Sequence, residues 1–270
     1  MSRIPRPTHA LTAGTLTLLA LLALGGCATV SETGRSQVLL ISPSEEARMG
    51  LSAFEKVKAS ETISRDRKSA ELVRKVGRRI SKVAPLPNAQ WEFVLFEDDS
   101  PNAFALPGGK VGINTGILKI TQNEAGLATV IGHEVAHAVA RHGAERMSQG
   151  LLVQLGGTVL GAALGGESAL TQQVAQQAYG LGSQLGVMLP YSRVHELEAD
   201  ELGLLYMARA GYDPNEAIAF WERFAAYNRK KGGKPPAFLS THPVDAKRIG
   251  ELSSMLPKAM AEYQRAKTAG

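Results

Sequence analysis

The sequence contains one cysteine, Cys27, in 270 residues. This excludes an intramolecular disulfide and a metal site that is built from several thiolates. Any metal ion that this chain binds must therefore be held by histidine, aspartate or glutamate side chains.

Long runs of one charge are also missing. Charged residues make up 20% of the chain and apolar residues 44%, which is ordinary for a folded globular protein. The formal net charge is +5 at pH 7, and two of the positive charges lie in the first 26 residues, which leaves +3 for the rest. Basic residues are dispersed and are not interleaved with aromatic ones, so we expect no nucleic-acid partner.

The N-terminal segment has the layout of an export signal. Arg3 and Arg6 make its start basic, and a short apolar run follows from about residue 16 to residue 24. This run is too short to span a bilayer. We therefore expect a segment that directs export and is not part of the folded core.

Residues 24–27 resemble the lipobox of bacterial lipoproteins, in which the cysteine becomes the lipid-modified N-terminus. This resemblance predicts a signal peptide over residues 1–26 and lipid on Cys27. Residues 27–41 are then a lipidated tether. The expected location is the periplasmic side of the cell envelope, with the lipid anchored in the outer membrane.

The pattern of apolar residues predicts a mainly helical α+β protein with a small antiparallel sheet. Aromatic and β-branched segments predict the strands, and Pro107-Gly108-Gly109 predicts a hairpin turn. Capping residues and the punctuation by Pro and Gly place the helices. The predicted strands cover residues 91–96, 102–106 and 110–114, and the predicted helices cover residues 42–60, 67–83, 121–147, 192–210 and 213–227, with another starting at Pro243.

The segment His133-Glu134-Val135-Ala136-His137 lies within the longest predicted helix, which is apolar on nearly all sides. Such a helix is buried, and burying three polar side chains without partners would cost several kcal/mol. Two histidines four residues apart share a helix face, with Cβ atoms about 5–6 Å apart. Both can reach one zinc ion, while Glu134 lies beside a water on that ion. The motif therefore predicts a catalytic metal site.

Two imidazoles leave a catalytic zinc ion short of a protein ligand. Glu196 and His242 are the two downstream candidates. On one predicted helix, Glu196 and Asp200 are four residues apart and share a face, so Glu196 could bind the metal while Asp200 orients a ligand. Glu198 and Glu201 point to other sides of this helix, where we expect solvent or ion pairs.

Three motifs follow one another along the chain: His133-Glu134-Val135-Ala136-His137, Glu196 with Ala199-Asp200, and Thr241-His242-Pro243 with Arg248. A fourth motif, from Pro101 to Gly109, precedes them. They resemble the zinc peptidase family of HtpX, BepA and the CAAX prenyl proteases, over about residues 40–255. The stretch from Pro101 to Gly109 resembles the edge-strand motif of the soluble BepA-like branch. The resemblance implies a peptidase domain over residues 42–256 and a C-terminal tail over residues 257–270.

The resemblance also implies residue roles. One zinc ion would be bound by His133, His137 and Glu196, with Glu134 as the catalytic acid and base. Asp200 would act either as a proton donor or as the orienting partner of a zinc-binding histidine. Membrane-embedded members of the family have several transmembrane helices, and their absence here favours the exported lipoprotein branch.

The oxyanion of peptide hydrolysis needs a hydrogen-bond donor besides zinc. His242, Arg248 and Asn102 are candidates for this donor. His242 has two alternative roles, either as a fourth zinc ligand that keeps the enzyme inactive or as a cap of the helix that begins at Pro243. The sequence leaves these alternatives open.

A strand at the rim of such a site can pair with an extended polypeptide through backbone hydrogen bonds, which accepts many sequences. The predicted strand that begins at Asn102 lies beside the motif in this way. We expect Asn102, Ala103, Phe104 and Ala105 to bind substrate.

These expectations describe a membrane-tethered zinc metalloendopeptidase that hydrolyses misfolded or unassembled envelope proteins. Its expected partners are polypeptide substrates, the membrane and outer-membrane assembly proteins. An alternative is a chaperone-like lipoprotein that binds unfolded outer-membrane proteins and rarely cuts them, and both activities can coexist.

Residues 150–189 predict either a helical hairpin packed on the core or a mobile lid or partner-binding surface.

Overall fold

The computed structural model describes residues 27–163, 191–232 and 235–269. The predicted signal peptide and residues 164–190 lie outside the described residues. Both interpretations of residues 150–189 therefore stay predictions.

Helices dominate the described part of the chain, as predicted. In chain order they are α1 (Pro43–Ser60), α2 (Arg67–Ser81), α3 (Thr115–Thr121), α4 (Glu124–Val139), α5 (His142–Ala163), α6 (Arg193–Arg209), α7 (Asn215–Lys231), α8 (Ala237–Thr241) and α9 (Ala246–Ala269). The strands are β1 (Cys27–Thr29), β2 (Ser36–Val38), β3 (Glu92–Phe96), β4 (Ala103–Leu106) and β5 (Lys110–Asn114). None of the described helices combines the length and the apolar character needed to cross a bilayer.

The sheet of β3, β4 and β5 has the strand order β3–β5–β4. β4 is antiparallel to β5, as predicted, but β3 is parallel to β5, so the sheet is mixed. After β3 the chain forms β4 at the far edge of the sheet. A hairpin then returns the chain to the centre as β5, which therefore runs in the same direction as β3. Gly108 and Gly109 permit this turn, because their φ angles of 82° and 86° are left-handed. β4 is thereby left at an edge.

Polar side chains cap the two helices that carry the motifs. The Ser192 hydroxyl accepts a hydrogen bond from the N–H of His195 at 3.2 Å, at the predicted start of α6. At α4 the capping residue is Asn123, which accepts from the N–H of Gly126 at 2.8 Å. The predicted start of this helix at residue 121 is wrong, because Thr121 ends α3 instead.

The predicted continuous helix over residues 121–147 is also wrong, because the chain turns between α4 and α5. Arg141 has a left-handed φ of 59° at this turn, a conformation that costs about 1–2 kcal/mol. Its guanidinium offsets this cost by binding the Glu46 carboxylate and, at 2.9 Å, the carbonyl of Ile41. The turn leaves the next residue, His142, fully buried.

The helix α4 lies at the centre of the core. It packs along α6, and α2, α7 and β4 also contact it. A Cβ atom on Gly132 would lie 2.9 Å from the carbonyl oxygen of Gly203, and one on Gly203 would lie 2.9 Å from the backbone nitrogen of His133. Glycine at both positions therefore lets α4 and α6 approach closely enough for their polar side chains to meet.

Residues 27–41, for which the sequence predicts a lipidated tether, are folded against the helices. β1 and β2 pair in an antiparallel hairpin, called here the N-terminal hairpin (residues 27–38). Its turn carries Arg35, whose Nε lies 2.6 Å from Glu198 Oε2 and whose Nη2 lies 2.8 Å from Glu145 Oε2. The hairpin therefore belongs to the folded body, whereas its lipidation stays a prediction.

The predicted tail over residues 257–270 continues a helix. α9 runs on through Pro257, and Leu252 and Ala259 on either side of this proline are buried in the core. The core therefore extends along the C-terminal helix.

Candidate metal centre

Five buried polar side chains converge where α4, α6 and the end of α8 meet. α4 contributes His133, Glu134 and His137, α6 contributes Glu196, and His242 directly follows α8. Each of the five is only 2% exposed. The potential ligand atoms of the three histidines and Glu196 all lie within 4.8 Å of one another. The structure thus brings together motifs that are far apart in the chain.

The distances between these atoms fit one four-coordinate metal ion. His133 Nε2 lies 3.1 Å from His137 Nε2 and 3.5 Å from Glu196 Oε2. His137 Nε2 lies 3.3 Å from Glu196 Oε1. Ligand atoms bound tetrahedrally at about 2.0–2.1 Å from zinc are about 3.3 Å apart. These side chains could therefore bind one zinc ion with little movement.

The charges of the site also fit a divalent cation. Three buried carboxylates, of Glu134, Glu196 and Asp200, face one buried arginine, Arg248, which leaves a formal excess of two negative charges among these four described residues. Burial opposes protonation of His133, but Asp200 and Glu196 outweigh it and raise the pKa of His133 to about 9. A proton on His133 offsets part of the excess negative charge of the site, whereas a bound divalent cation offsets all of it.

Asp200 and Arg248 hold the potential metal ligands in place through hydrogen bonds and ion pairs. Asp200 Oδ1 lies 3.0 Å from His133 Nδ1. Arg248 donates to both oxygens of Asp200, at 2.7 and 2.9 Å, and its Nη1 lies 2.6 Å from Glu196 Oε2. Burial alone would raise the pKa of Asp200, but Arg248 and His133 outweigh it and lower that pKa. An ionised Asp200 favours the orienting role over that of a proton donor.

His242 occupies the remaining side of this ligand set. Its Nδ1 lies 3.2 Å from His133 Nε2 and 2.9 Å from Glu196 Oε1. Its Nε2 lies 3.3 Å from Glu134 Oε1. The backbone N–H of His242 donates to Phe238 at 2.8 Å and so closes α8, which is compatible with a separate role of the ring. The imidazole lies where a reacting water would need to stand beside Glu134.

Of the two other candidate oxyanion donors, Arg248 is engaged by other partners, and Asn102 is positioned by a backbone contact. Besides its carboxylate contacts, Arg248 donates to the carbonyl of Pro243 at 2.9 Å. Asn102 lies before β4, and its carbonyl accepts from the N–H of Asn114 at 3.0 Å. Of the three candidates, His242 is the one within the ligand set.

Glu134 connects the ligand set to the edge strand β4. Its Oε2 accepts a hydrogen bond from the N–H of Ala105 at 3.2 Å. The pKa of Glu134 is raised, mainly by burial, which suits a group that accepts a proton and then releases it. The predicted substrate strand, with Ala103 and Phe104 before Ala105, therefore borders the site.

A second group of buried polar residues, which the sequence pattern did not identify, lies behind His137. His142 Nδ1 is 2.8 Å from His137 Nδ1, and His142 Nε2 is 2.8 Å from Glu198 Oε2. Glu198 also contacts Thr33 and Arg35 of the N-terminal hairpin. In a continuous helix, residues five positions apart lie on different faces, so spacing alone does not pair the two histidines.

Burial and pairing set the charges in this second group. Burial lowers the pKa of His142 to about 4, so its ring is neutral at pH 7. Burial would raise the pKa of Glu198, but His142, Thr33 and Arg35 outweigh it and lower that pKa to about 2. Of the alternatives predicted for Glu198, solvent or an ion pair, the structure shows the ion pair. Glu201 is paired as well, with Lys258 at 2.7 Å.

The ring of Tyr191 covers two of the site imidazoles. It stacks on His137 with a centroid distance of 3.9 Å and on His242 with a centroid distance of 5.3 Å. Stacking of this kind restricts the rotation of both imidazoles.

Comparisons with known proteins show which family this chain resembles. A family model described as peptidase family M48 matches residues 67–256. The Schizosaccharomyces pombe protein named mitochondrial metalloendopeptidase OMA1 is 39% identical over 192 residues, which cover 71% of this chain and 54% of that protein. The Escherichia coli protein named beta-barrel assembly-enhancing protease is 28% identical over 252 residues, which cover 87% of this chain and 50% of that protein.

The chain thus spans about half the length of these curated relatives. The matches confirm the resemblance to a zinc peptidase family that the motifs indicated. The matched region, residues 67–256, contains the complete ligand set, whereas the N-terminal hairpin lies before it.

Proposed function

Because this chain belongs to peptidase family M48, we propose that it is a zinc metalloendopeptidase. Metallopeptidases of this family use zinc, and we assign His133, His137 and Glu196 as its ligands. The observation that carries the proposal is the convergence of these three side chains beside a fourth buried group, Glu134. We assign Glu134 as the catalytic acid and base.

The residues around the ligands suit peptide hydrolysis. When bound, zinc lowers the pKa of a water molecule and polarises the scissile carbonyl. Glu134 accepts a proton from the attacking water and later donates it to the leaving amine. Asp200, kept ionised by Arg248, holds His133 through its Nδ1 and so fixes the direction of the other ring nitrogen.

β4 offers an edge for an extended polypeptide. One side of β4 pairs with β5, while the N–H of Ala105 points to the other side, toward Glu134. Backbone groups two residues apart on a strand face the same side, so Ala103 shares this free edge. Pairing along an edge reads backbone groups and accepts many side chains, which supports unfolded polypeptides as the substrate class.

The proposal is tested with purified protein that carries one equivalent of zinc. Zinc-loaded protein should cleave unfolded casein, protein stripped with a chelator should not, and added zinc should restore cleavage. A folded, disulfide-bonded protein serves as the uncut control substrate. Cleavage that persists without metal would contradict the proposal, and so would intact casein after incubation with the zinc-loaded protein.

We further propose that the structure represents a resting form in which His242 is a fourth ligand. The support is its position, since Nδ1 lies among the ligand atoms and Nε2 lies against Glu134. Hydrolysis then requires His242 to leave, so that water can reach the metal. His242 lies in the short connection between α8 and α9, so a local change of the backbone there would suffice to move its imidazole away from the metal.

Substituting His242 by alanine should raise the rate of casein cleavage. We expect a rise of about tenfold, which corresponds to a resting contact that is favoured by about 1.4 kcal/mol. Initial rates under equal zinc loading measure the effect. Ser240→Ala is the matched control, because it removes a hydroxyl of α8 that donates only to the nearby carbonyls of Pro235 and Pro236. A fall in rate would instead make His242 the oxyanion donor, and an unchanged rate would leave it as a helix cap.

We also propose a location and a substrate group. The enzyme would be anchored by lipid on Cys27 at the periplasmic face of the outer membrane, where it would cut misfolded or unassembled proteins alongside assembly factors. The support is the predicted export signal, the exposure of Cys27 and the name of the Escherichia coli relative. The Schizosaccharomyces pombe relative is named mitochondrial, so relatives differ in location. Mass spectrometry of the N-terminal peptide tests the lipid, and a membrane-bound Cys27→Ser variant would contradict it.

A chaperone-like activity of the same protein stays a prediction. The residues expected to carry it, 150–189, are described only at their start.

A further inference from the structure

We propose that Arg35, Glu198 and His142 are positioning residues that hold the zinc ligand His137 in its ligating form. The N-terminal hairpin is then a working part of the peptidase domain. The inference rests on the proposed function, which identifies His137 as a ligand. It goes beyond that function, because the hairpin lies outside the region that matches the family.

Three contacts connect the hairpin to His137 without a gap. Arg35 Nε donates to Glu198 Oε2 at 2.6 Å. His142 Nε2 lies 2.8 Å from the same oxygen, and His142 Nδ1 lies 2.8 Å from His137 Nδ1. His142 is fully buried and Glu198 is 6% exposed, so water does not readily replace either partner.

These contacts determine which nitrogen of each ring carries the proton. His137 faces the other ligand atoms through Nε2, which must be free of a proton to bind zinc, so the proton of its neutral ring lies on Nδ1. This proton is donated to His142 Nδ1. The proton of His142 then lies on Nε2 and is donated to Glu198. Because an ionised carboxylate only accepts hydrogen bonds, Glu198 sets the direction of the whole chain.

Arg35 holds the carboxylate at the end of this chain. Its guanidinium also donates to both oxygens of Glu145, at 3.0 and 2.8 Å, and so bridges α5 and α6. Glu145 lies 3.0 Å from His195 Nε2, and the ring of His195 stacks on His142 with a centroid distance of 4.4 Å. A planar guanidinium can bind two carboxylates at once, which a lysine ammonium does less well. Loss of Arg35 would leave two buried carboxylates without this cation.

The same contacts could serve the fold alone, and the two roles predict different results. A purely structural role predicts that variants lower the free energy of unfolding and leave the zinc affinity of the folded protein unchanged. A positioning role predicts weaker zinc binding by folded protein and a change at the Nδ1 proton of His137.

The test uses the full chain, stripped of metal, and measures the zinc dissociation constant by competition with a chromogenic chelator. His142→Phe keeps an aromatic ring but removes both nitrogens, and Glu198→Gln keeps the side-chain volume but removes the charge. We expect each variant to bind zinc about 10–100-fold more weakly, the range for loss of a partner of a metal-bound histidine. Glu201→Gln is the matched control and should bind like the wild type, because Glu201 lies on the same helix as Glu198 but its carboxylate pairs with Lys258 of α9.

Nitrogen NMR of the histidine rings tests the assigned position of the His137 proton directly. In the zinc-loaded wild type, His137 should carry a proton on Nδ1 that exchanges slowly with water. In His142→Phe this proton has lost its acceptor, so its exchange should be faster.

Zinc affinities of both variants within about twofold of the wild type would overturn the inference, since a positioning role predicts a larger loss. His137→Ala separates this result from a failure of the proposed function. If His137→Ala binds zinc as tightly as the wild type, the ligand assignment fails and the inference falls with it. If His142→Phe does not fold, as judged by urea unfolding without metal, Glu198→Gln carries the test.

Discussion

The Glu134→Gln variant should lose about 10²–10⁴-fold in the rate of peptide hydrolysis, the contribution of a positioned acid and base, and should keep its zinc. Glu134 is buried, and it borders the ligand set without belonging to it. Glutamine has the same shape and still accepts from the N–H of Ala105, but its amide cannot take a proton from water. Cleavage of a fluorogenic peptide and zinc content, both measured on one preparation, check the two parts.

Glu201→Gln makes the same chemical change at a surface ion pair and should retain the wild-type rate. Equal rates for Glu134→Gln and the wild type would refute the assignment of Glu134 as acid and base. Loss of zinc from Glu134→Gln would instead make this residue a ligand.

The Glu196→Ala variant should bind zinc more than about 100-fold more weakly than the wild type, because losing a ligand costs more than losing a ligand's partner. Glu196 supplies the carboxylate of the ligand set. Burial opposes its ionisation, but His242 and Arg248 outweigh burial and hold the pKa of Glu196 well below its usual range. It is therefore a charged donor at neutral pH. Calorimetric titration of metal-free protein with zinc measures the loss.

Glu201→Ala, on the same helix, should keep its zinc affinity. Removing Glu196 also leaves Arg248 with one buried carboxylate partner fewer, so urea unfolding of the metal-free forms must accompany the titration. If folded Glu196→Ala binds zinc like the wild type, the third ligand is His242, and the Glu196 carboxylate only positions the neighbouring side chains.

The sequence predicts the parts of this site that depend on local geometry. His133 and His137 share a face because four residues make about one helical turn, whatever surrounds the helix. The same reasoning pairs Glu196 with Asp200. It left both Glu196 and His242 as candidates for the third ligand, because spacing within a helix carries no information about which distant helix lies nearby. The resemblance to a known family was needed to favour Glu196.

The sequence pattern failed where a tertiary contact overrides a local preference. The apolar pattern predicts one helix through residue 147, but the left-handed Arg141 divides it, and the partners of Arg141 lie on other elements. His142 was missed for this reason. The resemblance to a lipobox predicts a tether at the N-terminal hairpin, whereas Arg35 holds this hairpin against the helices through two carboxylates that are far away in the chain.

What the sequence by itself determined is the metal chemistry available to this chain: one cysteine, two histidines on one helix face, and a glutamate beside them. What only the tertiary structure decided is the rest of the site. Gly132 and Gly203 let two helices approach closely, which brings the third ligand to the histidines. The turn at Arg141 places a neutral imidazole behind one of them. These features depend on distances between elements, and no periodicity along a single element encodes such distances.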